Sequence, residues 1–389
     1  MEKVPLKAIA EFITTGKTPP TKVAKYFGGD IEWYTPGDLD RGKILRGSKR
    51  TLTKVALVDK KATVFPKGTL LISCIGDIGK LGITRLQSSS NQQITGVRPN
   101  DMADVNYLYY WFRFSKYYLE HVTNTAVVPI LNNRTLQKIE IPLPPLAEQK
   151  KIAAILDAAD QLRQKDQQLI DHYTSLSQSL FLEMFGDPVT NSMGWKLVSF
   201  GDVGKLDRGK SKHRPRNDPI LLGGEHPLIQ TGDVANCGGY ITEFKSTYSD
   251  IGLMQSKIWE AGTLCITIAA NIAKTGILNF DACFPDSVVG FKSNEKTNTH
   301  YVQHWLSFLQ KILEETAPMA AQKNINLKIL RELQIPLPPV DLQKKFADLV
   351  GEKDRQKDMV RTNIERSETL FNSLLQRAFK GGLTGSKAA

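Results

Sequence analysis

The string IPLPPLAEQKKI at residues 141–152 returns as IPLPPVDLQKKF at residues 335–346, an offset of 194 in a chain of 389. The same offset brings Gly68-Thr69-Leu70 onto Gly262-Thr263-Leu264 and Gly82-Ile83 onto Gly276-Ile277. It also brings Gly96 onto Gly290, Tyr107 onto Tyr301, Trp111 onto Trp305 and Asn132 onto Asn326. One register held over so many positions means one unit used twice. The period is too long for a solenoid, whose repeats run to about 20–50 residues. Each copy is therefore a whole domain followed by a helix.

The globular part of each copy has short strand-like runs, such as 69–73 and 264–268, between turns rich in Gly, Asn and Asp. It ends in an aromatic stretch, YLYYWFRFSKYYL or YVQHWLSFLQKIL, whose spacing is helical and reads as core. These features predict a mixed α/β fold (α+β) for both globular parts. A double proline then opens a long helix. No Gly or Pro occurs from Leu146 to Phe185, and Gly186-Asp187-Pro188 stops the run. At 1.5 Å per residue it would be a rod of roughly 58 Å. Ile152, Ile155, Ala159, Leu162, Leu169, Tyr173, Leu176 and Leu180 follow steps of three and four and predict a coiled-coil seam. In the second helix Phe346, Leu349, Val360, Leu370 and Leu374 keep that register, while Lys353, Gln356, Asn363 and Ser367 interrupt it. The expected arrangement is an antiparallel coiled coil with pseudo-two-fold symmetry and the globular parts at opposite ends. The expected domains are 1–146, a helix at 147–186, 187–340, and a second helix with tail at 341–389.

Charge locates the function. The net charge is +11. Residues 1–146 contribute 21 Lys+Arg against 12 Asp+Glu, residues 195–340 contribute 16 against 14, and the first helix is net acidic. The basic excess therefore lies mainly in the globular parts, which points to a polyanionic partner there. A leucine-zipper DNA reader would carry it on the helices instead. Four cysteines without a CxxC pair make no disulfide framework. No run of 18 apolar residues predicts a membrane span, and the opening MEKVPLKAIAEF does not read as a secretory signal. A cytoplasmic protein is expected.

Two globular parts, each followed by a long helix entered through IPLPP and Gln-Lys-Lys, resemble the specificity (S) subunits of type I restriction-modification enzymes. The opening ITTGKTPPTKVAKYFGGDIEWYTPGDL and the helix ends FLEMFGDP and LLQRAFKGGLTG are similar as well, so the resemblance covers essentially the whole chain. Val340-Asp341-Leu342, where the first copy has Leu146-Ala147-Glu148, is a small departure. The resemblance implies two target recognition domains, each reading one half of a split, asymmetric DNA site. It implies helices that set the gap and dock two methyltransferase (modification) subunits, with restriction subunits further out. It also implies that the complex uses S-adenosylmethionine, ATP and Mg²⁺, none of them bound by this chain, which would be non-catalytic by itself.

The candidate DNA contacts are basic. In the second recognition domain they are Arg208, Lys210, Lys212, Arg214 and Arg216, with Lys274. In the first they are Lys17, Lys22, Lys25, Arg41, Lys43, Arg46, Lys49 and Arg50, with Lys80, which aligns with Lys274. Such side chains neutralise phosphates or, as Arg, meet guanine O6 and N7. Gly204 to Ser211 also satisfies GxxxxGK[ST], which offers a nucleotide-binding alternative. The prolines at 215 and 219 argue against the helix that such a loop must open. His300 and His304 lie four apart, but no further ligand supports a metal. No Asn/Asp/Ser-Pro-Pro-aromatic, GxSxG or HExxH motif is present. A structural scaffold with incidental charge is the remaining alternative.

Overall fold

The computed structural model describes residues 2–121, 129–269, 272–316, 325–380 and 382–383. The chain forms two compact units, Met1–Gln167 with Thr362–Ala389, and Gln168–Arg361. Both are mixed α/β. The long helices, Leu146–Phe185 and Val340–Lys380, are thus shared between the units rather than set apart from them.

In the first unit, antiparallel strands run in the order Ala10–Thr15, Ile94–Pro99, Leu70–Ser73, Leu81–Ile83. A second sheet joins Arg50–Leu52, Phe27–Tyr34 and Ser88–Ser90, the last pair parallel. Lys3–Pro5 pairs with Glu140–Pro142, closing the globular part just before the long helix. The aromatic helix Val105–Phe114 starts at Asp104, whose carboxylate accepts the N–H groups of Asn106 and Tyr107. Tyr107, Tyr110, Trp111 and Phe112 are buried, so this stretch is core, whereas Tyr117 and Tyr118 are exposed.

The second unit repeats the plan. Gly204–Arg208, Val288–Ser293, Leu264–Thr267 and Thr275–Leu278 are consecutive antiparallel strands, and Tyr240–Ile241 adds a parallel edge. A four-stranded sheet has the order Ser246–Tyr248, Leu222–Leu228, Ala282–Cys283, Ile258–Trp259. Leu197–Ser199 pairs with Gln334–Pro336. Asn132 and Asn326 fill the same role, each capping a short helix by accepting the N–H three residues on.

Within each unit the two long-helix segments pack antiparallel. In the first, Ile152, Leu156 and Ala159 share a core with Phe371, Leu375 and Ala378. Arg163 bridges to Glu368 at 2.9 Å and lies 5.1 Å above the Phe371 ring. In the second, Phe181 and Phe185 meet Phe346, and Lys353 donates to Ser177. The seam differs from the one expected. Leu162, Leu169, Leu176, Leu349 and Leu370 are 43–47% exposed. Ile152, Ala159, Phe346 and Val360 are buried, Ile155, Tyr173, Leu180 and Leu374 half-buried. Leu156, Asp160, Asp166, Phe181, Val350, Ser367 and Phe371 are buried beside them. A seven-residue spacing is satisfied equally by two neighbouring rows of a helix. Polar residues beside the inward row are paired: Arg163 bridges Asp160 and Glu368 in the first unit, and Lys353 donates to Ser177 in the second.

Candidate nucleic-acid interface

The basic loop of the second unit leaves its sheet at Gly209. A Cβ there would come within 2.2 Å of the Phe284 carbonyl oxygen, so the close approach needs glycine. Lys210 N–H then donates to that same carbonyl at 3.1 Å. Ser256 Oγ donates to the Lys210 carbonyl at 2.9 Å, and Gln255 Oε1 accepts the N–H groups of Lys212 (2.6 Å) and His213 (3.0 Å). Asp286 holds Arg216 at 2.6 Å and Arg214 at 3.7 Å. Asp218 accepts the Ile220 N–H and faces His213, which together hold its carboxyl below the usual range. Two sequence-distant segments, 255–256 and 284–286, therefore fix the loop. Arg208, Lys210 and Lys212 remain exposed, with no carboxylate partner among the described residues. Half-buried Lys274 likewise has none among them. Gln255, Ser256 and Asp286 carried no motif that could have marked them in advance.

In the first unit the corresponding loop also starts from backbone contacts, Gly16 N–H to Ile94 O at 2.8 Å and Lys17 N–H to Ser90 O at 2.9 Å. Lys17 Nζ donates to the Lys60 carbonyl, and Lys25 pairs with Asp59 at 3.0 Å, which raises the Lys25 pKa. Arg41 stands 4.0 Å from Asp38, Lys80 pairs with Asp77, and Arg50 lies over Phe27 and Trp33. Lys22, Arg46 and Lys49 are exposed, with no carboxylate partner among the described residues. Lys43 stands apart. Its ammonium is bound to Asp157 on the long helix and lies 5.5 Å from the Tyr110 ring centroid. It ties the globular part to the helix and leaves little of itself for an outside anion.

Two alternatives lose their geometry. Gly204–Arg208 is a sheet strand that leads into the pinned loop and a 3-10 turn at Pro219–Leu221, not into an α-helix whose N-terminal amides could hold phosphate. His300 Nε2 meets the Tyr240 hydroxyl at 2.6 Å, and His304 Nδ1 meets the His300 carbonyl at 2.9 Å. Both rings serve the core. Among the described residues no helix is long and apolar enough to cross a membrane.

The family model for the type I restriction modification DNA specificity domain matches residues 1–171 and again 193–366. The MjaIX specificity subunit of Methanocaldococcus jannaschii is 25% identical over 370 residues, covering 89% of this chain and 84% of that protein. The EcoBI specificity subunit of Escherichia coli is 25% identical over 295 residues, covering 67% of this chain and 62% of that protein. The crystal structure of a type I restriction-modification S subunit from M. genitalium has the same fold, with a TM-score of 0.60, 16% identity, and coverage of 97% and 96% of the two chains. With the family model matched twice, once on each copy of the repeat, the chain belongs to the type I restriction-modification DNA specificity subunits.

Proposed function

We propose that each unit reads one half of a bipartite, asymmetric DNA site, and that the long helices set the gap and dock two methyltransferase subunits. The observation that carries this reading is the basic loop at 208–216, pinned by Gln255, Ser256 and Asp286 so that Lys210 and Lys212 stand free of carboxylates among the described residues. Cations on an ordered loop position a duplex through its phosphates, and neighbouring side chains then read base edges. The two units differ in their polar loops while sharing a frame, so the half-sites differ. For docking, the first unit exposes Leu162 and Leu370, and the second exposes Leu169, Leu176 and Leu349. Apolar helix rows left open in this way suit partner helices. Restriction subunits join further out. The chain itself contributes recognition, while S-adenosylmethionine, ATP and Mg²⁺ serve the other subunits.

Methylome sequencing of cells with and without the gene tests the reading. Two unlike half-sites around an unspecified gap are expected to vanish with the gene, and a perfect palindrome would contradict it. A gel shift on random duplex, with and without methyltransferase, separates it from the scaffold alternative, and equilibrium dialysis with ATP from the nucleotide one.

A further inference from the structure

The two units share a small element that none of the sequence motifs marked. In the first, the strand Arg50–Leu52 runs into the short helix Lys54–Val58. In the second, Ser246–Tyr248 runs into Asp250–Met254. The residue between strand and helix is anchored alike in both. Thr53 N–H donates to the Tyr26 carbonyl and its hydroxyl to that of Lys25, while Ser249 N–H donates to Leu221 and its hydroxyl to Ile220. One face of each helix is packed, at Ala56 and at Gly252. The last residue points the other way, with Val58 78% and Met254 79% exposed.

A single exposed apolar side chain is ordinary. Here the exposure recurs on the same element in both units, and each time the residues just after it bond to a lysine-bearing segment. Lys17 reaches the Lys60 carbonyl and Lys25 pairs with Asp59, immediately beyond Val58. Gln255 and Ser256, immediately beyond Met254, hold the backbone of Lys212 and Lys210. An apolar tip beside a lysine-bearing segment complements a surface with anionic walls and an apolar floor feature. The major groove of DNA is such a surface, with phosphates on its rims and the thymine C5-methyl inside.

We propose that Val58 and Met254 are specificity-determining residues, each seated against a thymine methyl in the half-site its unit reads, with the flanking lysines on the phosphates. This rests on the DNA-reading function above. The two tips differ in length and flexibility, so they discriminate at different positions of unlike half-sites.

The test uses the specificity subunit assembled with its methyltransferase and selects bound duplexes from a random library. Wild type should enrich a bipartite site. Met254→Ala should relax preference at one position of one half-site, and Val58→Ala at one position of the other. Replacing that thymine by deoxyuridine should weaken wild-type binding about fourfold, the worth of one buried methyl, and should not weaken the matching variant further. The salt dependence of both variants should equal that of wild type, because no phosphate contact is lost. Both side chains are exposed, so truncation leaves the fold intact. If both variants enrich the wild-type site and respond to deoxyuridine as wild type does, the tips read nothing. Equal weakening on every sequence overturns the proposal as well. If wild type enriches no site at all, the DNA-reading function fails first, and the proposal with it.

Discussion

Gln149 Oε1 accepts the backbone N–H of Asp104 at 2.9 Å, while its Nε2 donates to the carbonyls of Met102 and Pro144. The side chain is fully buried at the start of the first long helix and ties that helix to the turn before the aromatic helix. Gln343, 194 residues on, does the same in the second unit. Its Oε1 accepts from Asn298 N–H and Thr297 Oγ1, and its Nε2 donates to Lys296 and Pro338. Beside each, a tyrosine hydroxyl, of Tyr107 or Tyr301, donates to a proline carbonyl of the IPLPP string at 2.6 Å. The Gln of Gln-Lys-Lys is thus the joint between recognition domain and helix.

Gln149→Leu keeps the volume and leaves the Asp104 N–H and two carbonyls unpaired in a buried place. The expected cost is about 2–4 kcal/mol, read by chemical denaturation. In a random-spacer selection the loosened joint should broaden the gap while leaving both half-sites unchanged. A variant as stable as wild type would show the joint to be incidental.

Lys43 and Lys210 should separate cleanly. Lys210→Ala removes an exposed cation and should flatten the slope of log K against log salt by about 0.9 if it touches one phosphate. Lys43→Ala should leave that slope unchanged and instead destabilise the first unit, since it strips Asp157 of its cation. The opposite pattern in a salt titration would exchange their roles.

His304 gives the second unit an acid limit. Burial pushes its pKa down to about 4, and its ring lies edge-on to Phe346. The hydrogen bond to the His300 carbonyl opposes this, while the charges of His300, Lys353 and Lys357 press in the same direction as burial. The folded state keeps the ring neutral, while the unfolded chain takes up a proton near pH 6.5. The unfolded state therefore binds more protons between about pH 4 and 6.5, and stability falls as pH falls through that window. The loss at pH 5 is about 2 kcal/mol. His304→Phe should remove most of this dependence, as thermal melts across pH 5–7.5 would show.

The helices as a ruler make a geometric prediction. Four residues inserted after Leu169 lengthen that helix by about 6 Å and break its pairing, so function should be lost. Four more after Asn363 should restore pairing and widen the preferred gap by about one or two base pairs, each about 3.4 Å of duplex. A paired variant that folds and still prefers the original gap would place the spacing with the methyltransferase subunits.

The sequence by itself determined the tandem repeat, the two long helices, the aromatic core and the family, because these rest on local spacing and on a register that recurs unchanged. Tertiary structure decided the rest. Leu162 and Leu169 satisfy a seam as a string, yet they lie on the open row, since neighbouring rows share the same seven-residue period and only long-range packing chooses between them. The candidate site divides in the same way. A count of lysines named candidate contacts but could not separate Lys43, bound to Asp157, from Lys210, which has no carboxylate partner among the described residues. That difference depends on which distant carboxylate the fold brings within reach. Gln255, Met254 and Val58 were illegible for the same reason. The roles proposed for them rest on what lies beside them in space, and their own residue types say nothing about it.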